Sequence, residues 1–419
     1  MLRYFARRSA AIKFVHSSNI GDSLNHVSLL IGSGFSVPAE YPTTTKLNER
    51  LCRIGASEIC VHTDREAWFL NGQPDPNAER MGVEERRLVQ ELLEFYNTQV
   101  LRQGEGFHYE TFYDYYITPY LTNSYPDELL DFLTGFKRQH KAISDIHHLL
   151  MTFNDIFTQL LSQLLTKPIE RVHYCKPYHP NYNAFLLLLE NLSTGHKVHI
   201  HTLNHDIYLE SLSLTDSIQD HFADGFEELG SRIYAKKYEK YASYMVRLRR
   251  FTNKYDEPFC LYKLHGSVDN YWVSFEDGTD LVKLPWGVSP HEIHKEVLRN
   301  GQPQYSHSPA DVVADFLSGT THKIDRYENG SYYPVLFRHF QTNLKQSKTL
   351  VVIGYGFGDI RINRYLEECF LYDSSKEMFI VDLVRPSTPL LGRSNVHFIE
   401  GGVSGMDYEL IAKRTMAPQ

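Results

Sequence analysis

Three times in this chain a short apolar run stops at glycine or at an Asn-His-Asp turn and restarts as a helix, and this pattern limits the possible folds most strongly. His26 to Pro38 (HVSLLIGSGFSVP) runs into Gly32-Ser33-Gly34 and resumes, after the threonines at 43–45, as an amphipathic segment carrying Leu47 and Leu51. Lys197 to Glu210 (KVHIHTLNHDIYLE) alternates Val198, Ile200 and Thr202 before Asn204-His205-Asp206 and a helix start. Thr349 to Leu366 (TLVVIGYGFGDIRINRYL) repeats the arrangement, and Met378 to Leu383 (MFIVDL) adds a fourth strand that ends in Asp382. Strand, turn and helix in repetition predict an α/β fold, a doubly wound parallel sheet whose ligands bind at the carboxyl ends of its strands.

The chain has 419 residues, more than such a sheet needs. Between the first two strand-turn pairs, roughly 58 to 195, the apolar spacing is helical: Val89-Leu92-Leu93-Tyr96, Ile146-Leu149-Leu150-Phe153 and Phe157-Leu160-Leu161-Leu164. That is too long for one crossover and reads as a helical insertion or subdomain. The sheet domain is then discontinuous, 26–57 and 196–419, preceded by an N-terminal arm, 1–25, in which Arg3, Arg7, Arg8 and Lys13 occur before any acid. Prolines and glycines punctuate roughly 275 to 335, leaving room for short elements such as Asp311 to Leu317 in loops over the sheet.

Composition excludes several classes. With 42% hydrophobic and 22% charged residues the chain is globular, and 43 Lys and Arg against 51 Asp and Glu give −8, the wrong sign for a surface that tracks phosphate. Direct nucleic-acid binding is not expected. No apolar run approaches the ~18 residues of a membrane span. Five cysteines, at 52, 60, 175, 260 and 369, form no C-x-x-C, which favours reduced thiols and a cytoplasmic location and gives no metal-ligand spacing.

The residues with chemical potential sit at the strand ends. Gly32, Ser33, Gly34 and Ser36 would let backbone N–H groups approach a pyrophosphate, or would simply make a tight strand-to-helix turn. Gly354 and Gly356 offer the same two readings. Asn204 can hold a water or a ribose hydroxyl, or serve as an Asx-turn and helix cap. His265, in KLHGS, is a base or a turn histidine. The order of these elements, GSGFS, TLNHD, KLHGS and IGYGFGDIRIN, resembles the sirtuin family, in particular its branch in prokaryotic antiphage defence proteins.

That resemblance implies a Rossmann-like domain that binds NAD⁺ as substrate, with Asn204 and His265 at the nicotinamide ribose as the catalytic pair. It gives Gly32, Ser33, Gly34, Ser36, Gly354 and Gly356 to the cofactor's phosphates, Asp206 to the support of Asn204 or the ribose, and Asp382 to the adenosine ribose. Two departures point away from protein deacylation: the zinc module's C-x-x-C pairs are missing, and Ser36-Val37-Pro38-Ala39-Glu40-Tyr41 supplies no arginine where deacylating sirtuins carry Gly-Ile-Pro-x-Phe-Arg. The implied activity is NAD⁺ glycohydrolysis to nicotinamide and ADP-ribose as the NAD-depleting effector of an abortive-infection system. The competing reading is a module that binds NAD⁺ or ADP-ribose without turnover. Implied partners are a second copy in a homo-oligomer and a ring-forming ATPase of the HerA type or, less favoured, an Argonaute-type protein.

Other features carry blander expectations. The aromatic run Phe107 to Tyr120 reads as subdomain core rather than a base-stacking surface. His199 and His201 share one strand face from which the turn diverts His205, so no metal is expected there. Arg247, Arg249 and Arg250 with Lys236, Lys237 and Lys240 read as a solvated helix face.

Overall fold

The computed structural model describes residues 25–416 except 63–66, 71–81, 142–143, 170–171, 175–178, 213–214, 216–217, 219–220, 240–241, 307–308, 310 and 317–331. The basic arm, apart from Asn25, lies outside the described residues, as do Cys175, Lys240 and Leu317.

Seven parallel strands form the central sheet: β1 (Asn25–Ile31), β2 (His196–Thr202), β3 (Phe222–Ala223), β4 (Phe259–Lys263), β5 (Thr349–Ile353), β6 (Glu377–Asp382) and β7 (Val396–Glu400), in the order β7-β6-β5-β1-β2-β4-β3. The expected doubly wound parallel sheet is present. β5 (TLVVI) is almost wholly apolar and fully buried because both faces are covered, as parallel sheets require, while β2 buries His196, His199 and His201 in the same setting. Alternate residues divide between two cores. Leu30, Leu350, Val352 and Ile380 pack under the helix Tyr333–Gln346, while Leu29, Ile31, Val351 and Val381 meet the helices Asn183–Ser193 and Tyr408–Met416. From β1 the chain leaves to one side, into β2, and β5 arrives on the other, which puts the topological switch point at the carboxyl ends of β1 and β5.

The helix Asn183–Ser193 departs from the expected boundary of the insertion at 195. Phe185, Leu188, Leu189 and Leu192 are buried against the sheet, so this helix completes the crossover into β2. Ahead of it, the helices Val83–Phe95, Tyr109–Thr122, Asp127–His140 and Ile146–Leu164 enclose a core of their own with the hairpin strands Ile59–Val61 and Ala67–Phe69. The aromatic run supplies that core: Tyr116 meets Phe153 edge-on at 4.8 Å between ring centroids.

Two expectations, loops from roughly 275 onward and a helix for the basic cluster, fail among the described residues between 226 and 316, although Asp311–Phe316 is a short element as expected. In place of loops the chain builds two antiparallel sheets, one from Ala242–Arg247, Ile233–Glu239, Ile293–Arg299 and Gln302–Ser306, the other from Asp311–Phe316, Gly266–Phe275, Gly278–Lys283, Arg249–Phe251 and Phe226–Glu227. Two of the glycines that suggested loops, Gly278 and Gly301, mark hairpin ends. Asn300 and Gly301, at φ 53° and 74°, form a two-residue turn that pairs Arg299 with Gln302, the hairpin geometry that Asn-Gly favours. The basic cluster is likewise strand and not helix: Arg247 lies opposite Tyr234, and Lys236 opposite Met245, across one antiparallel ladder.

Candidate active site

The glycines at the switch point interlock two loops. Gly32 N donates to Ile353 O at 3.0 Å, Gly34 N to Gly354 O at 2.9 Å and Gly354 N to Val381 O at 3.0 Å. A Cβ on Gly32 would stand 2.5 Å from Gly354 O, and one on Gly354, whose φ is +61°, would stand 2.4 Å from Phe35 N. No side chain fits either place. The segment then folds as two short 3₁₀ turns, Ser33–Phe35 and Val37–Ala39, in which Phe35 N and Ser36 N donate to Gly32 O and Ser33 O. The helix begins only at Thr44, capped by the Thr43 hydroxyl. The expected array of N–H groups at a helix start is therefore engaged with backbone carbonyls, since Gly32, Gly34, Phe35 and Ser36 all donate within the protein.

Asn204 follows β2 and is buried. Its Nδ2 donates to Gly32 O at 3.0 Å and to Ser36 Oγ at 3.1 Å; because a carbonyl can only accept, these contacts identify the nitrogen and leave Oδ1 as the acceptor end. Ser36 in turn bonds Asp206, whose Oδ1 also accepts from Tyr208 N at 3.0 Å. Burial raises the Asp206 carboxyl above its usual range against the opposing pull of Lys263 and these hydrogen bonds. Asp206 is thus linked to Asn204 through Ser36.

His265 follows β4 and is buried, with Nε2 3.4 Å from Asp359 Oδ2. Asp359 is held from several directions: Oδ1 caps the helix Ile360–Tyr365 by accepting from Arg361 N and Ile362 N at 2.9 and 3.1 Å, and its own N–H donates to the Tyr355 hydroxyl at 3.2 Å. Asn363 closes the same loop by donating to Phe357 O at 2.8 Å. The motif from Gly354 to Asn363 is thus a self-braced turn that presents a carboxylate to His265.

These loops open on a cavity of about 910 Å³, within the range of small-molecule and cofactor sites. Gly32, Ser33, Asn204, Asp206, His265 and Gly356 line it, so six of the ten sequence-selected residues meet there. Gly34, Ser36 and Gly354 are not in the lining. Asp382 is not in it either; it ends β6, two strands from β1, where its Oδ1 accepts from Leu383 N at 2.7 Å, the strand-end capping role of an aspartate.

The lining also includes residues that sequence reasoning passed over. Asp359, Arg361 and Arg364 come from the quoted IGYGFGDIRIN segment, which held the only available signal for them. His108, Tyr109, Glu110 and Leu165 come from the insertion; the first three open the aromatic run that sequence reasoning assigned to the subdomain core. Among the described residues, no group of three or more His, Cys, Asp or Glu side chains is arranged to hold a metal ion, and no helix is long and apolar enough to cross a membrane.

No protein-family model and no curated protein matches the sequence. Solved structures similar to this chain include a sirtuin studied for its substrate affinity and Sir2Tm bound to a propionylated peptide. Each is 10% identical over 94% of this chain, covering 94% and 93% of its own, with a TM-score of 0.33. An overlap at that score carries no weight beside the strand order, which establishes the α/β fold on its own.

Proposed function

We propose that this chain is an NAD⁺ glycohydrolase that cleaves the bond between nicotinamide and C1′ of the ribose, releasing nicotinamide and ADP-ribose. The observation that supports it most is the meeting of Asn204 and His265 in the lining of one cavity, each beside an acid, the buried Asp206 through Ser36 and the partly exposed Asp359 directly. The leaving group is cationic and needs no protonation, so the paired carboxylic acids of glycoside hydrolysis are not required. Positioning and charge stabilisation do the chemistry. With its nitrogen fixed on Gly32 O and Ser36, Asn204 offers Oδ1 to orient an attacking water, and His265 takes a proton from that water or from a ribose hydroxyl.

The cavity suits the substrate in volume and charge. Arg361 and Arg364 bring permanent cations to the lining, and Gly356 and Gly358 form an open wall where an added Cβ would meet nothing within 4 Å. Phosphate contacts fall to Ser33 and these groups, since the remaining N–H groups of the first loop are engaged.

The motif resemblance supports the wider role, an NAD-depleting effector in antiphage defence, gated by assembly. An open NADase would destroy its host, so the chain is expected to act as a homo-oligomer with a ring-forming ATPase as the favoured partner. Light scattering that finds a monomer hydrolysing NAD⁺ at full rate contradicts the gating. For the activity, purified protein is incubated with NAD⁺ and the products are identified by mass. Nicotinamide and ADP-ribose support the proposal; NAD⁺ bound but intact supports the binding-module reading instead.

A further inference from the structure

Behind the cavity lies a group of buried charges that the proposed reaction does not touch. Lys263, the last residue of β4 and two positions before His265, is 3% exposed; its ammonium donates to the backbone carbonyl of Asp206 and stands 3.5 Å from Glu210 Oε1. Glu210 belongs to the short helix Tyr208–Leu212 that follows Asn204, and it also meets Lys283 at 3.1 Å. Lys283 ends the antiparallel strand Gly278–Lys283 and reaches Asp224 at 3.0 Å and Asp269 at 3.6 Å, while Asp224 receives both arms of Arg249 at 3.0 and 2.9 Å. Burial pushes the Glu210 carboxyl up, but Lys263 and Lys283 outweigh it and hold the group below its usual range.

A buried ion network of this kind is a weak source of stability, because apolar groups of the same volume would serve as well. What charges and hydrogen bonds add is direction. This network touches three pieces of chain: the loop after β2 that carries Asn204, the end of β4 that carries His265, and the antiparallel sheets. Backbone bonds run beside it, Leu264 N to Thr202 O at 2.9 Å and Val268 N to His205 O at 3.0 Å.

We propose that Lys263 is a positioning residue for this site: one buried ammonium, standing on the His265 strand and bonded to the Asn204 loop through the Asp206 carbonyl, fixes the separation of the two side chains, and Glu210, Lys283 and Asp224 tie that separation to the antiparallel sheets. This rests on the function proposed above.

The test compares wild type with Lys263→Met, Lys263→Arg and the double variant Lys263→Met/Glu210→Gln, which leaves Glu210 without a stranded charge if the single variant fails to fold. Hydrogen exchange of the full chain is the readout independent of activity. Removing the ammonium is expected to speed exchange in residues 203–208 and 264–268 while β1 and β5 keep their protection. In steady state, kcat is expected to fall about 10²-fold, the scale of a misplaced reacting group, with affinity for ADP-ribose unchanged. Lys263→Arg recovers part of the turnover, and in an Asn204→Ala background Lys263→Met costs nothing further. Exchange that is unchanged in both loops, or that rises uniformly along the chain, overturns the proposal. A wild-type chain that leaves NAD⁺ intact contradicts the function, and the exchange result still decides the clamp.

Discussion

Replacing Gly354 with alanine should unlock the switch point and thereby displace Asn204. At φ +61° an L-residue in the left-handed region costs roughly 1–2 kcal/mol. The new methyl would stand 2.4 Å from Phe35 N and 2.6 and 2.7 Å from the C and Cα of Gly34, all backbone atoms, so a loop must move and not a side chain. Overpacking of that kind costs about 1–3 kcal/mol, and losing the Gly34 N to Gly354 O bond adds roughly 0.5–1.5 kcal/mol. Together these come to about 2.5–6.5 kcal/mol, which places Gly354→Ala among severely destabilising substitutions. Urea unfolding measures it, with Gly358→Ala as the control, because nothing lies within 4 Å of a Cβ at Gly358. The control should keep wild-type stability to within about 0.5 kcal/mol. Since the displaced loop carries Ser36, which holds the Asn204 amide, any Gly354→Ala protein that remains folded should also turn over more slowly. Equal midpoints for the two variants would refute the interlock.

Acid should destabilise the chain in a definite window. Burial, helped by the neighbouring His26, Lys197 and His339, pushes His199 down to about 3, and burial likewise lowers His201 and His26. A histidine whose folded value lies below its unfolded value near 6.5 leaves stability intact above pH 6.5 and removes it as the pH falls, so His199 alone should cost about 2 kcal/mol at pH 5. Urea midpoints from pH 7.5 to 5 test this, and His199→Gln should flatten the curve; an unchanged midpoint in wild type argues against it. Treatment with EDTA should alter neither melting temperature nor turnover, and a stoichiometric metal in elemental analysis would contradict that.

The parallel sheet was legible because each strand ends where a side-chain class changes abruptly, as at Ile31 to Gly32 and Ile353 to Gly354. The interlock itself was not, since a glycine run reads identically whether its N–H groups face a phosphate or, as here, another loop's carbonyl. Residue type and order singled out Asn204 and His265, which share one cavity, and passed over Asp359 as part of a motif although it faces His265 at 3.4 Å. Asp382 stands outside the cavity lining, and sequence alone does not separate an acid that caps a strand end from one that meets a ribose. The antiparallel sheets hid behind short, half-exposed strands whose alternation is broken by charge, with Asn300-Gly301 as the signal that a hairpin was present. His108, Tyr109 and Glu110 reach the cavity only through the tertiary packing of the insertion, which local periodicity does not encode.

The central claim is that Asn204 and His265 act together on a bound nicotinamide riboside linkage. The most direct measurement is nicotinamide release at saturating NAD⁺ by wild type, Asn204→Ala and His265→Ala, with ADP-ribose affinity and thermal melting recorded on the same samples. Asn204→Ala gives up two hydrogen bonds and should melt somewhat earlier, about 1–3 kcal/mol less stable, whereas His265→Ala serves as the second probe of the site. Each folded variant should retain ADP-ribose binding and lose about 10²–10⁴ in rate. Release of nicotinamide at the wild-type rate by both variants would contradict it.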